Sequence, residues 1–129
     1  MVRICVKIRK AIFMQKISLE KFQQIKNQLK QVEKEYEDNY EKYQNDENYD
    51  DSAEEQKVVD KYFEIQNRLC KYDLSDIPFE AWQGMTIISD ETHQADFSKT
   101  RANIDFAMVE YAGNANFRGC KVINLGKIY

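Results

Sequence analysis

The chain has 129 residues, 43% of them hydrophobic and 32% charged, with only four glycines and one proline; that is one domain-sized unit, too short for two large cores and too poor in loop formers for long disordered linkers. Its net charge of -3 conceals segregation: residues 1–17 carry five basic residues and no acid, whereas residues 32–55 hold eleven acids against Lys34 and Lys42. No run approaches the roughly 18 apolar residues that a membrane span requires, and the basic N-terminus alternates apolar with charged residues, so it offers no secretory hydrophobic segment. The expected compartment is cytoplasmic, in the producing cell or in one to which the protein is delivered.

Cys5, Cys70 and Cys120 are widely spaced and form neither a CxxC nor a zinc-type cluster. Reduced thiols fit a cytosolic protein, and one intramolecular disulfide would fit an exported one.

Val2, Ile4, Val6 and Ile8 alternate with Arg3, Cys5, Lys7 and Arg9. This period of two predicts a half-buried N-terminal strand with a basic outer face, within a basic segment 1–17. A basic amphipathic helix on a membrane or nucleic acid is the alternative, because Ile4, Ile8 and Ile12 lie four apart.

From Ser18 the period becomes helical. Ile17 and Phe22 fit a hydrophobic staple around a Ser18 N-cap. Phe22, Ile25, Leu29, Val32, Tyr36 and Tyr43 follow spacings of three and four, with Asn39 in the one missing position. After a turn-forming acidic stretch at 44–51, Ser52 and Glu55 form a capping box, and Val58, Tyr62, Ile65, Leu69 and Tyr72 continue the pattern. Two helices with matched apolar stripes and a short connection predict a long antiparallel helical hairpin over residues 18–72. The coiled-coil-like seam permits a homodimer as readily as an intramolecular hairpin.

Residues 74–84, LSDIPFEAWQG, predict a two-turn capping helix with Ser75 as N-cap and Gly84 at its end. Met85 to Ile88 reads as a strand. Beyond it a small residue is repeatedly followed two places later by a large apolar one: Ala95/Phe97, Ala102/Ile104, Ala107/Val109, Ala115/Phe117 and Cys120/Val122. Residues 73–129 are therefore read as a capping helix plus a small β-rich unit. The fold class is α+β.

Over residues 95–124 the pattern resembles the pentapeptide-repeat family. Ala115-Asn116-Phe117-Arg118-Gly119 matches that family's A-[DN]-[LF]-x-G cell in full, and the cells beginning at Ala95 and Ala102 match all but the final glycine. Met108 and Lys121 depart from the second position, and extra residues precede Ala102 and Ala115. The resemblance implies a right-handed four-sided β-helix with small residues at inner corners and large ones stacked in ladders; five cells would make little more than one coil. An ordinary β-meander over the same residues stays open, and so does a chain that is the N-terminal piece of a longer protein.

The motifs for chemistry are sparse. His93 is the single histidine, expected in an exposed loop; a nucleophilic pair with Cys70 or Cys120 can be drawn, but no spacing fixes it. The acids of 46–55 lack the glycine and terminal glutamate of a calcium loop. No phosphate-binding glycine loop, nucleophile elbow or zinc signature is present. The expectation is a non-enzymatic protein-interaction module without cofactor or metal. It would bind a macromolecular partner through Tyr40, Glu41, Tyr43, Asp46, Glu47, Tyr49, Asp50 and Asp51, where tyrosines supply contact area beside acids. Two other readings stand beside it. The acidic run could imitate a nucleic acid and block a DNA- or RNA-handling enzyme with a basic groove, as some members of the resembled family do with long arrays; direct nucleic-acid binding is not expected. The chain could also be a targeting or scaffold region of a larger bacterial effector or toxin.

Overall fold

The structure is a computed structural model that describes residues 14–43, 45, 47 and 51–124. The predicted N-terminal strand falls almost wholly on residues outside that set.

Helix α1 spans Leu19–Tyr43. It starts where the staple places it. The Ser18 hydroxyl accepts the Lys21 N–H at 3.1 Å, satisfying one of the free donors of the first turn, while Ile17 and Phe22 are both buried. Helix α2 spans Asp51–Leu69, so Ser52 lies inside the helix and not at its cap, and the helix starts two residues before the Ala53 that a Ser52 cap predicts. Its end tightens: the N–H groups of Cys70, Lys71 and Tyr72 each donate to the carbonyl three residues back.

The helices pack against each other, with Arg68 donating to Gln28 and Lys61 to Glu35. The apolar stripe is buried at one end only. Phe22, Ile25, Leu29 and Val32 of α1 and Tyr62, Ile65 and Leu69 of α2 enter the core. Tyr36 and Val58 are half-buried, and Asn39 is exposed, so it sits in no seam.

Entry to α1 and exit from α2 are tied together. Asp73 donates its N–H to the Gln15 carbonyl at 2.9 Å, and Lys16 and Asp73 form a parallel bridge. The predicted two-turn helix at 74–84 is instead one turn of 3₁₀ helix, Phe79–Trp82. A helix capped at Ser75 would need Ile77 helical immediately before Pro78, which the proline ring disfavours; Pro78 is extended, at φ -70 and ψ 156. Ser75 donates its N–H to the Asp73 carboxylate at 2.9 Å and caps nothing. The short turn still brings Trp82 against Phe22, with ring centroids 4.9 Å apart. Lysines of α1 reach over to its carbonyl end: Lys26 Nζ to Ala81 O at 3.0 Å and Lys30 Nζ to Gly84 O at 2.8 Å.

Four three-residue strands follow: β1 Thr86–Ile88, β2 Asn103–Asp105, β3 Glu110–Ala112 and β4 Lys121–Ile123. They form two small parallel sheets, β1 with β3 and β2 with β4. Ile87 lies opposite Tyr111 and Ile104 opposite Val122, and a parallel bridge joins Asp96 to Asn116. A meander would pair chain neighbours antiparallel; here each partner is 24, 18 or 20 residues further on.

The small-then-large pairs divide. Ala95, Phe97, Ala102 and Ile104 are buried, whereas Ala115, Phe117, Cys120 and Val122 are half-buried. Ala107 departs from the pattern: it is exposed, and Phe106 and Val109 fill the core on either side of it. The Asp or Asn of the motif has a visible task in two cells. Asp96 and Asn116 each accept the N–H two residues on, from Ser98 and Arg118, at 2.9 and 3.0 Å, the Asx turn that short carboxylate and amide side chains make at a corner. In the cell beginning at Ala102 the motif residue Asn103 donates instead to the Ser75 and Ile77 carbonyls, and the turn is made by Asp105, which accepts the Ala107 N–H at 2.8 Å. Two of these corners stack, with the Phe97 and Phe117 rings 5.3 Å apart and nearly parallel at 16°.

Candidate functional site

Of the eight residues expected to bind a partner, the five that are described lie where the helical pair has left the core. Tyr40 is 43% exposed and its ring stacks on Tyr36, centroids 6.5 Å apart. Glu41 and Glu47 are exposed. Tyr43 closes α1 and Asp51 opens α2; Asp46, Tyr49 and Asp50 lie outside the described residues. Of the residues beyond Val32 on α1, or before Tyr62 on α2, whose burial is described, none is buried. That part of the helical pair has surplus charge and little apolar burial.

His93 is not the exposed loop residue expected. Its side chain is 15% exposed and sits between two carboxylates, with Nε2 2.7 Å from Asp60 of α2 and Nδ1 3.2 Å from Asp90. The ring packs on Phe63 at 5.1 Å. Asp90 also accepts the backbone N–H groups of Thr92 and His93, at 2.9 and 2.6 Å. Those bonds, led by the one from the His93 backbone, hold its carboxyl below the usual range. The arrangement pins the loop to α2. The spacing Asp90, Thr92, His93 signals an Asx turn, but the Asp60 contact comes from 33 residues away and has no local signature.

Neither described cysteine is available for nucleophilic work. Cys70 and Cys120 are free thiols. Burial raises Cys70 to about 12, against a backbone hydrogen bond at Asp96 that lowers it; burial also raises Cys120, whose Sγ donates to the Phe97 carbonyl at 3.1 Å. Burial of this kind disfavours the thiolate, which is the reactive form. His93 spends both ring nitrogens on aspartates, so the Cys–His pair does not assemble. Cys5 lies outside the described residues.

Among the described residues no group of three or more His, Cys, Asp or Glu could hold a metal ion, and no helix is long and apolar enough to cross a membrane.

Sequence reasoning missed two features. One is Gln66, fully buried on α2 and bonded to the backbone of Ile88. The other is a pair of adjoining grooves of about 300 and 330 Å³ between α1 and α2, lined by Lys21, Arg68 and Lys71 in one and by Lys61 and Arg68 in the other, with Gln28 shared and no acid in either. Lys21, Gln24, Gln28 and Gln31 recur at helical spacing and could have signalled a polar stripe.

No family model, no curated protein and no solved structure matches this chain.

Proposed function

We propose that this protein is a non-enzymatic interaction module that binds a protein partner through the acidic, tyrosine-bearing end of its helical pair. The observation that carries the reading is the extension of both helices past their buried stripe: α1 continues for eleven residues after Val32. Surface of that kind contributes little to the core, and an exposed Tyr40 stacked on the half-buried Tyr36 beside Glu37, Asp38 and Glu41 suits a polar protein interface.

The rest of the molecule acts as its mount. In this reading α1 and α2 form an antiparallel hairpin, supported by Gln28 meeting Arg68 while Glu35 meets Lys61. The C-terminal unit is a single turn of β-helix of the pentapeptide-repeat kind, supported by parallel partners 18 to 24 residues apart and by the Phe97–Phe117 stack. The 3₁₀ turn at Phe79–Trp82 covers its first end.

The test is affinity capture with the wild type and with a variant in which Glu41, Glu47, Asp46, Asp50 and Asp51 are all changed to the corresponding amides. Proteins retained by the wild type at low salt should be lost from the variant and released as salt rises, because exposed charge pairs are screened. Equal retention by both proteins sinks the reading. Retention of DNA- or RNA-handling enzymes that a nucleic acid competes away would move it to nucleic-acid imitation.

A further inference from the structure

The two grooves between α1 and α2 repeat each other. Shifting Lys21, Gln24 and Ile25 of the first by seven residues gives Gln28, Gln31 and Val32 of the second. On α2 the same shift takes Lys61 and Ile65 of the second groove to Arg68 and Tyr72 of the first. Around the first groove Lys21, Gln24, Ile25 and Gln28 have the spacing of the four residues that surround one inserted side chain where helix packs on helix. Seven residues of helix rise about 10 Å, so the surface holds two depressions in line, about that far apart, with the Gln28–Arg68 hydrogen bond between them.

Their charge is one-sided. Residues 21–32 contain no acid, and residues 61–72 contain only Glu64, which lines neither groove. Lys61 meets Glu35 at 3.3 Å and Lys21 donates to the Tyr72 hydroxyl at 2.7 Å. Arg68 and Lys71 are exposed, and neither meets a carboxylate among the described residues. Ile25, Val32 and Ile65 give the grooves an apolar floor, and the exposed amides of Gln24, Gln28 and Gln31 run along the rim.

We infer that the paired grooves seat an α-helix of a partner protein, one that carries apolar side chains seven residues apart with carboxylates beside them. The spacing selects the helix. Side chains seven apart on a helix share a face at about 10 Å, which sets one over each depression. An extended strand presents same-face side chains about 7 and 14 Å apart, and phosphates advance about 3.4 Å along each strand of a duplex, so neither falls into step with the grooves. The apolar floors also favour side chains over a phosphate backbone. Arg68 and Lys71 supply the complement to carboxylates on the seated helix. Residues 1–13 of this chain carry Arg3, Lys7, Arg9 and Lys10 and no acid, so they lack the charge for the place. From Gln28 to Tyr43 α1 rises about 22 Å, so the grooves and the acidic end are separate surfaces.

The experiment is fluorescence anisotropy with labelled, alanine-based helical peptides of about three heptads, titrated with the full chain. One peptide has two leucines seven residues apart with glutamates flanking each; the other has the same composition with the leucines five apart, on different faces. The first should bind at least about tenfold more tightly than the second, and its affinity should fall at high salt. Arg68→Glu with Lys71→Glu should weaken it at least about tenfold, circular dichroism checking that the variant is folded. An unlabelled single-stranded dT oligonucleotide, at the concentration of the peptide, should not displace it. No binding of the first peptide up to about millimolar protein overturns the inference, as does equal binding of both peptides, binding that the two substitutions leave unchanged, or displacement by the oligonucleotide, which would make the face a nucleic-acid surface. Sedimentation velocity of the chain alone covers the remaining occupant: self-association that the two substitutions abolish would put a second copy in the grooves and likewise overturn it. The amide variant of the acidic end should bind the first peptide as the wild type does, so this reading and that of the acidic end fail separately.

Discussion

Gln66 binds both backbone polar groups of Ile88: its Nε2 donates to the carbonyl at 2.8 Å and its Oε1 accepts the N–H at 3.0 Å. The amide behaves as a piece of strand set against β1, and it is fully buried. Gln66→Leu keeps the volume and strands both groups away from water. The expected loss is roughly 2–4 kcal/mol, since each buried unpaired group costs about 1–3. A urea melt measures it; a loss under about 1 kcal/mol would mean that water reaches Ile88 in the variant.

Much of the helical half was legible in the sequence because its signals are local. The Ser18 cap, the Ile17–Phe22 staple and the stripe from Phe22 to Leu29 each lie within a few residues, and hydrophobic spacing sets them. Gln66 was missed because a polar residue beside a helical stripe reads as solvent-facing, and its partner lies on a strand 22 residues away. The extent of the buried stripe was also illegible: Tyr36 and Tyr43 keep the spacing, but the core stops at Val32 because the β unit beneath it is short. In the C-terminal half, spacing found Ala95, Phe97, Ala102 and Ile104. It failed at Ala107, where the corner after Asp105 turns Phe106 inward instead. Of the candidate binding residues, the sequence identified an acidic stretch but not the cationic grooves, whose lining comes from two helices.

His93 holds the loop to α2 through Asp60 and Asp90. Both carboxylate side chains are more than half exposed, so the pairs add little to global stability. Asp60→Asn together with His93→Gln should change the free energy of unfolding by less than about 1 kcal/mol. Amide exchange over residues 89–95 should quicken clearly, because local opening no longer breaks these contacts. Hydrogen-exchange mass spectrometry reads both. Exchange confined to the wild-type rate would show that the hydrogen bond from Ala95 N–H to Ser89 Oγ, at 3.0 Å, is enough to fix the loop.

Cys70 gives a pH dependence with a defined sign. Burial, chiefly, raises its thiol to about 12 in the folded protein, while an unfolded thiol titrates near 8.5. Below that value both states are neutral and the contribution is complete. As pH rises towards about 12 the unfolded chain ionises and the folded one does not, so stability falls. Burial of Tyr62 acts in the same direction, so the comparison must be made with Cys70→Ala, whose alkaline loss between pH 9 and 11 should be smaller. The native thiol should also react slowly with iodoacetamide at pH 8 and quickly in urea.

The stacked rings Phe97 and Phe117 differ in depth. Phe97 is fully buried and also meets Trp82, at 6.2 Å, whereas Phe117 is half-buried beside Phe106 and Tyr111. Phe97→Ala should cost about 3–5 kcal/mol, as large core truncations do, and Phe117→Ala about half that, in proportion to the apolar area it covers. Thermal melts separate the two. Equal costs would place the centre of the β core at the outer corner and not beneath the helices.

Gly113 follows β3 at the point where the chain passes the end of β1. Its φ is +104, and a Cβ there would lie 1.6 Å from the Ser89 carbonyl oxygen. The obstacle is backbone, which cannot rotate aside, so Gly113→Ala must part Ile88 from Ala112, the last pair of the β1–β3 register. Gly84 is the control: its φ is +78, but the nearest atom to an added Cβ is the Lys30 ammonium at 3.2 Å, the far end of a flexible side chain. Gly84→Ala carries mainly the left-handed backbone penalty, about 1–2 kcal/mol. Gly113→Ala adds displacement of two strands to a similar strain and should lower stability by several kcal/mol, about as much as a large core truncation. Urea denaturation of the two variants side by side decides it. Similar losses would mean that β3 can shift away from Ser89 at little cost.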